Sequence, residues 1–277
     1  MTWGPAGDES GSSVRRITER TRRVMLRTQD GIAIDAAYHP GDVPGEGPVI
    51  VLAHGFSGDL DRPHVLRAAS VFAQRAAVIT FSFRGHGRSG GRSTVGDREV
   101  LDLAAAVEWA RVLGHARVVT VGFSMGGSVV LRHAASHRGR TEARTDAVVA
   151  VSAPARWFYR GTAPMRRLHW VVTRPTGRMV GRVGLRTRIH PLSGGAWDPV
   201  PLSPVESVPL IAPTPLLVVH GDRDPYFPVD HPRMLAEAAD GGAELWLEPG
   251  MGHAEHAASD ALLDRIGTWA AAAGAAQ

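Results

Sequence analysis

The 277-residue chain contains no cysteine. Disulfide bonds, thiolate metal sites and a cysteine nucleophile are therefore excluded. The chain also lacks lysine, so all 31 basic residues are arginines, whose charge persists at any ordinary pH. The formal net charge is only +4, and we expect no nucleic-acid partner on this basis.

Long apolar runs are missing as well. No stretch of about 18 apolar residues is present, which argues against a membrane span. The N-terminal segment MTWGPAGDESGSS lacks the basic start and apolar run of a secretory signal. We therefore expect a cytoplasmic protein, and its hydrophobic content of 44% is sufficient for a sizeable core.

Short apolar stretches alternate with helical ones. After a polar tail (1–22), the segments 23–28 and 32–40 predict a hairpin with an Asp-Gly turn. Further strands are predicted at 48–55, 76–83, 116–123, 146–153, 214–221 and 243–250, and helices at about 63–75, 97–113, 127–137, 229–240 and 257–273. The pattern predicts an α/β domain over 23–277. Its eight-stranded sheet is mainly parallel, starts with an antiparallel hairpin and carries helices on both faces.

One segment breaks the alternation. Residues 155–212 separate the sixth and seventh strands by far more than a usual connection. Long insertions in compact domains are usually functional, disordered or lids. Because this one follows a strand at the carboxyl edge of the sheet, where ligands bind in such folds, we expect a lid.

The pattern Gly-x-Ser-x-Gly occurs twice, in GRSGG around Ser89 and in GFSMGG around Ser124. A nucleophile elbow requires a strand that leads directly into the serine and a helix that leaves directly after it. Ser124 meets both conditions, since VVTV precedes it and SVVLRHAA follows it closely. Ser89 lies several residues beyond its strand and is predicted to be a loop serine.

Five motifs follow one another along the chain: HGFSG, FSFRGHGRSGG, GFSMGG, GDRDPYFP and GMGH. From about residue 30 to the end, the chain resembles the α/β-hydrolase-fold serine hydrolases. It is similar within them to bacterial carboxylesterases of the cinnamoyl or feruloyl esterase type and to the monoacylglycerol lipase and lysophospholipase branch. The resemblance implies a Ser, acid, His triad and no metal or organic cofactor.

Two carboxylates and two histidines compete for the remaining triad positions. The resemblance implies Asp224 through the pattern Gly-x-x-Asp-x-x-x-Pro, and it implies His253 through Gly-x-Gly-His. Asp222 follows the strand immediately and is expected to be a turn residue. His256 falls near the start of the final helix. We expect most other histidines on the surface or in turns.

An oxyanion hole requires two convergent backbone donors. The N–H of Met125, directly after the nucleophile, should be one of them. The resemblance implies the N–H of Phe56, after His-Gly, as the other. Aromatic residues near the expected site, namely Trp157, Phe158 and Phe227, are predicted to bind substrate.

The expected lid contains no acidic residue between Ala155 and Trp197, but it contains nine arginines. Four of them recur at every fourth residue from Arg174 to Arg186, although glycines at 177, 181 and 184 weaken a helix prediction. One hypothesis is that the apolar side of the lid covers the acyl site while the arginines attract an anionic substrate or lipid surface. The alternative is a solvated face whose arginines pair with acidic residues elsewhere.

The predicted function is hydrolysis of a small-molecule carboxylic ester through an acyl-enzyme. The same triad could serve lysophospholipid or monoacylglycerol cleavage, thioester hydrolysis or acyl transfer. A binding protein without catalysis is a further alternative, but such proteins usually lose a triad member.

Overall fold

The computed structural model describes residues 21–42, 47–191, 197 and 199–275. The predicted polar tail falls almost entirely outside these residues. Strand β1 (Arg22–Arg27) pairs antiparallel with β2 (Ala33–His39). Gly31 has a φ of 81° in the connecting turn, a conformation that favours glycine. The predicted N-terminal hairpin is confirmed.

The remaining predicted strands and helices are present, together with further helices between the sixth and seventh strands and a short one after the last strand. The strands are β3 (Val49–Ala53), β4 (Ala77–Phe81), β5 (Val118–Phe123), β6 (Ala147–Val151), β7 (Leu216–Gly221) and β8 (Ala243–Glu248). The helices are α1 (Pro63–Ala73), α2 (Glu99–Val112), α3 (Met125–His137), α4 (Ala163–Thr173), α5 (Pro175–Gly184), α6 (Pro204–Ser207), α7 (Asp230–Ala238), α8 (Ala254–Ala257) and α9 (Asp260–Ala275).

The eight strands form one sheet in the order β1-β2-β4-β3-β5-β6-β7-β8. Strand β2 pairs antiparallel with β4, and all pairs from β4 to β8 are parallel. The carboxyl ends of β3, β5, β7 and β8 therefore meet at one edge. The predicted fold class is confirmed.

Alternate residues of each central strand enter cores on opposite faces of the sheet. In β3, Val49 and Val51 belong to one buried cluster, whereas Ile50 and Leu52 belong to the other. Helices α2, α3 and α7 contribute to the first cluster, while α1 and α9 contribute to the second. Burial on both faces explains why these strands are continuously apolar.

The described part of the connection from β6 to β7 carries helices α4, α5 and α6 and a 3₁₀ turn at Val208–Leu210. The glycines that weakened the helix prediction lie inside α5. A Cβ on Gly177 would collide with the backbone of α4, 2.7 Å from the Cα of Val171. Gly177 and Gly181 are buried, so they permit α5 to pack closely on α4. Tertiary packing outweighs their low helix propensity.

Seven of the 13 histidines are buried, and five of these lie in strands or helices rather than on the surface or in turns. The seven are His39, His54, His86, His133, His137, His220 and His231. Within the described ranges, no helix is long and apolar enough to cross a membrane.

Candidate active site

Ser124 lies between the last residue of β5 and the first residue of α3. Its backbone has φ 53° and ψ −113°, a strained conformation for a residue with a side chain. A Cβ on Gly122 would collide with the Gly126 carbonyl, and one on Gly126 would collide with the Ala53 carbonyl. The glycines around Ser124 are therefore required for this sharp turn, which has the form of a nucleophile elbow.

The structure brings Ser124, His253 and Asp224 together from three loops. His253 Nε2 lies 2.8 Å from Ser124 Oγ, and His253 Nδ1 lies 2.7 Å from Asp224 Oδ2. An ionised carboxylate only accepts, so Nδ1 donates to Asp224 and leaves Nε2 to accept the Ser124 hydroxyl proton. The Tyr226 ring lies 4.3 Å from that of His253 and restricts its orientation.

Asp224 is held by backbone donors as well. Its Oδ1 accepts hydrogen bonds from the N–H groups of Tyr226, at 2.8 Å, and Phe227, at 3.1 Å. Burial tends to raise the pKa of Asp224, but the hydrogen bond and charge of His253, with these N–H groups, lower it below its ordinary value. Asp222 instead accepts from the Gly250 N–H at 2.6 Å and does not contact His253.

The loop after β3 places Phe56 beside the elbow. Among the described residues, the N–H groups of Phe56 and Met125 meet no acceptor. Both backbone positions adjoin the cavity that contains Ser124. Two open donors in this position can stabilise negative charge on a carbonyl oxygen held against Ser124.

Two buried histidines, His54 and His86, hold this loop. His54 Nδ1 donates to the Gly55 carbonyl at 2.6 Å, and its Nε2 accepts the Phe83 N–H at 3.0 Å. Burial, with the nearby His86, lowers the pKa of His54 well below its ordinary value, which keeps the ring neutral for both bonds. His86 Nε2 lies 2.6 Å from the Phe56 carbonyl oxygen. This role was not predicted from the sequence, although the position of His54 directly after a buried strand could have indicated it.

Two further polar contacts brace the loop that carries His253, and neither was anticipated from the sequence. The buried Ser152 hydroxyl accepts the Ala254 N–H at 3.0 Å. The buried Glu255 carboxylate accepts the Gly55 N–H at 3.1 Å. Because Gly55 and Glu255 are 200 positions apart, only the folded chain reveals this link between the histidine loop and the Phe56 loop.

Ser89 is a buried loop residue held by two hydrogen bonds. Its hydroxyl donates to the Ser82 carbonyl at 2.6 Å and accepts the Asp35 N–H at 2.9 Å, and its exposed fraction is 1%. Ser89 therefore joins the glycine-rich loop to the sheet edge. His253 contacts Ser124 and not Ser89.

Ser124 borders two cavities. One, of about 120 Å³, is lined by the predicted substrate residues Trp157, Phe158 and Phe227 together with Val172 of α4. The other, of about 610 Å³, contains His253 and is lined by Tyr226, Val171 and residues of α8. The first cavity is predominantly apolar and aromatic. The two cavities share Leu168 and Phe227 in their linings, and only the second contains His253.

Helix α4 places Leu168 and Val172 over the cavities. The apolar side chains of α5 do not cover the site, contrary to the expectation for the Arg-rich part. Met179, Val180 and Val183 are exposed to solvent instead, at 65%, 49% and 79%. The glycine face of α5 packs on α4, which turns these side chains outward.

The nine arginines of the expected lid are Arg156, Arg160, Arg166, Arg167, Arg174, Arg178, Arg182, Arg186 and Arg188. In the described part of the chain, Arg156 alone among them pairs with a carboxylate, that of Asp230 at 3.1 Å. Arg166, Arg178 and Arg188 bind backbone carbonyls. Ion pairs with acidic residues elsewhere therefore do not neutralise most of the positive charge of these arginines.

His64, Glu255 and His256 form a cluster beside the larger cavity. Their potential ligand atoms lie within 4.8 Å of one another. Of the residues described, these three are close enough together to hold a metal ion.

The sheet order and the surrounding helices are those of the α/β-hydrolase fold, which structurally similar esterases share. The family model described as "alpha/beta hydrolase fold" matches residues 48–177. The resemblance noted from the five motifs is confirmed.

Particular relatives are consistent with this class. The chain is 26% identical to a monoacylglycerol lipase of Mycolicibacterium smegmatis over 260 residues, covering 80% of this chain and 87% of that protein. The esterase Pf2001 of Pyrococcus furiosus superposes with a TM-score of 0.70 at 20% identity, covering 97% of this chain and 95% of the other. Est1E of Butyrivibrio proteoclasticus, solved with ferulic acid, gives 0.61 at 20% identity, covering 92% and 100%. The two structural similarities show the shared fold.

Proposed function

We propose that this protein hydrolyses carboxylic esters through an acyl-enzyme formed on Ser124. The observation that carries the proposal is the hydrogen-bond chain from Ser124 Oγ through His253 to Asp224, with distances of 2.8 and 2.7 Å. A serine hydroxyl is a weak nucleophile until a neighbouring base removes its proton. We further propose that residues 23–277 form one hydrolase domain and that 155–212 is its lid.

In the proposed reaction, Ser124 Oγ attacks the ester carbonyl while His253 Nε2 accepts its proton. Asp224 keeps the proton on Nδ1 and stabilises the imidazolium that forms. His253 then protonates the leaving alcohol, and the acyl group stays on Ser124. Water, deprotonated by the same imidazole, attacks the acyl-enzyme and releases the acid.

The tetrahedral intermediates carry an oxyanion, and the N–H groups of Phe56 and Met125 are its proposed donors. Their lack of an acceptor in the described residues supports this assignment. Removing one such donor typically costs about 10²–10³-fold in kcat. The bonds that His54 and His86 make to this loop are expected to fix one donor before substrate binds.

The two cavities suggest how the ester is oriented. His253 protonates the leaving alcohol, so the alcohol must lie on the side of His253, in the larger cavity. The acyl group then occupies the smaller aromatic cavity of Trp157, Phe158 and Phe227. This arrangement favours an apolar or aromatic acyl group and tolerates a bulkier alcohol. A monoester of glycerol is one specific candidate, because the Mycolicibacterium relative is named a monoacylglycerol lipase.

The arginines of α5 and its flanks are proposed to attract an anionic substrate or lipid surface. Arg182 is exposed beside the outward-facing Met179 and Val183, a combination that suits an anionic apolar surface. Hydrolysis of an anionic ester should then fall with increasing salt, whereas hydrolysis of a neutral ester should not. Arg182→Gln should weaken the salt effect, and Arg22→Gln on the edge strand β1 is its control. Equal salt responses for both esters would exclude the electrostatic role.

The catalytic assignment is tested by Ser124→Ala with Ser89→Ala as the matched control. Ser124→Ala should abolish both hydrolysis of a nitrophenyl ester and labelling by a fluorophosphonate. Ser89→Ala should keep its label, since His253 contacts Ser124 and not Ser89. Labelling of folded Ser124→Ala at the wild-type rate would exclude the proposal. An unlabelled wild-type protein would instead favour a binding protein.

A further inference from the structure

His64, Glu255 and His256 lie together where α1 meets α8, and the proposed hydrolysis uses none of them. His64 Nε2 lies 3.7 Å from Glu255 Oε1, and the rings of His64 and His256 have centroids 3.8 Å apart. Potential ligand atoms of all three residues lie within 4.8 Å of one another. Two imidazoles and one carboxylate are a common ligand set for zinc with an open fourth position.

One ring nitrogen of the cluster forms no hydrogen bond with the described residues. His64 Nε2 is buried, and within the described residues it has no hydrogen-bond partner. An imidazole nitrogen without a hydrogen-bond partner offers a lone pair that a metal ion can use.

The arginine side chains near the cluster already pair with other carboxylates. Arg67 pairs with Asp260 at 2.5 Å and donates to the carbonyls of Glu255 and Ala258, so it occupies backbone oxygens rather than the Glu255 carboxylate. Arg62 pairs with Asp59 at 3.2 Å. Among the described residues, the Glu255 carboxylate accepts one hydrogen bond, from the Gly55 N–H.

We infer that His64, Glu255 and His256 form a binding site for a divalent transition ion of the zinc type. In a tetrahedral site, ligand atoms about 2 Å from the metal lie about 3.3 Å from each other. His64 and Glu255 are close to this spacing already. His256 is exposed, so its ring can turn out of the stack to complete the set. Imidazole ligands favour zinc, cobalt, nickel or copper over magnesium and calcium.

An ion at this site joins three segments around the proposed active site. His64 belongs to α1, whereas Glu255 and His256 follow His253 within three positions. Glu255 also holds Gly55, which precedes Phe56. The ion is a structural brace for these loops and takes no part in ester chemistry, so the inference stands independently of the proposed function.

The test uses the full chain without a polyhistidine tag, stripped with EDTA and dialysed. Titration with Co²⁺ should give saturable visible d–d absorption at one ion per chain, and Zn²⁺ should displace it. Zn²⁺ at about 100 times its dissociation constant should raise Tm by about 5 °C. Ser124→Ala should respond as the wild type does, which separates this inference from the catalytic one.

Three variants locate the ion. His256→Gln and Glu255→Gln should each weaken Co²⁺ binding more than about 10-fold, a cost already typical of losing an outer-sphere partner. The glutamine at 255 can still accept the Gly55 N–H. His190→Gln, which removes an exposed histidine elsewhere, should bind as the wild type does. The inference is overturned if millimolar Co²⁺ gives no d–d absorption, or if folded His256→Gln and Glu255→Gln bind as tightly as the wild type.

Discussion

Asp224→Asn is the most informative single change at the proposed triad. The Tyr226 and Phe227 N–H groups donate to Oδ1, so they retain an oxygen there and direct the new amide nitrogen toward His253. That nitrogen is a donor, so His253 Nδ1 must accept and the ring proton moves to Nε2. A protonated Nε2 cannot accept the Ser124 proton.

The expected consequence is a loss of about 10⁴-fold in kcat, or about 5.4 kcal/mol of transition-state stabilisation. KM should change little, because Asp224 is buried behind His253 and lines neither cavity. The assay is steady-state hydrolysis of a nitrophenyl ester, with Tm measured to establish folding.

Asp222→Asn is the matched control, two positions away in the same loop. Asp222 binds the Gly250 N–H, and its replacement should leave kcat within a few-fold of the wild type. The reasoning is refuted if folded Asp224→Asn loses less than about 10-fold in kcat, or if Asp222→Asn loses as much as Asp224→Asn.

Two further matched pairs test the cavities and the lid. Val172→Phe should lower kcat/KM for bulky acyl groups and Val171→Phe for bulky alcohols, because these neighbours on α4 line different cavities; identical selectivity in both variants would contradict the orientation of the ester. Gly177→Ala should lower the free energy of unfolding by about 1–3 kcal/mol because its Cβ collides with α4, measured by urea denaturation. Gly184→Ala, where a Cβ meets nothing within 4 Å, should be neutral or stabilising, and an equal loss for both would count against close helix packing.

The local sequence pattern was sufficient to predict the strands of the sheet and to choose between Ser89 and Ser124. A strand buried on both faces is continuously apolar, and a nucleophile elbow lies within a few residues of its strand and its helix. Ser124 satisfies these conditions within one short segment. Asp224 and His253 required the family's motifs in addition, because spacing alone left Asp222 and His256 as competitors.

Local pattern was insufficient for the helix α5. Gly177 and Gly181 have low intrinsic helix propensity, and their compatibility with a helix depends on close contact with α4. The direction of Met179 and Val183 follows from that contact. The sequence therefore identified an unusual insertion but could not tell which of its faces is exposed.

By itself, the sequence determined the α/β class, the strand and helix order, and the serine at the strand-to-helix junction, because these depend on periodicity and on neighbours along the chain. Tertiary structure alone decided the contacts between distant segments, such as Glu255 with Gly55 and His86 with Phe56. It also decided which histidines are buried. Such contacts depend on which loops meet at one edge of the sheet. The spacing of residues along the chain does not determine how far apart these loops lie in the folded protein.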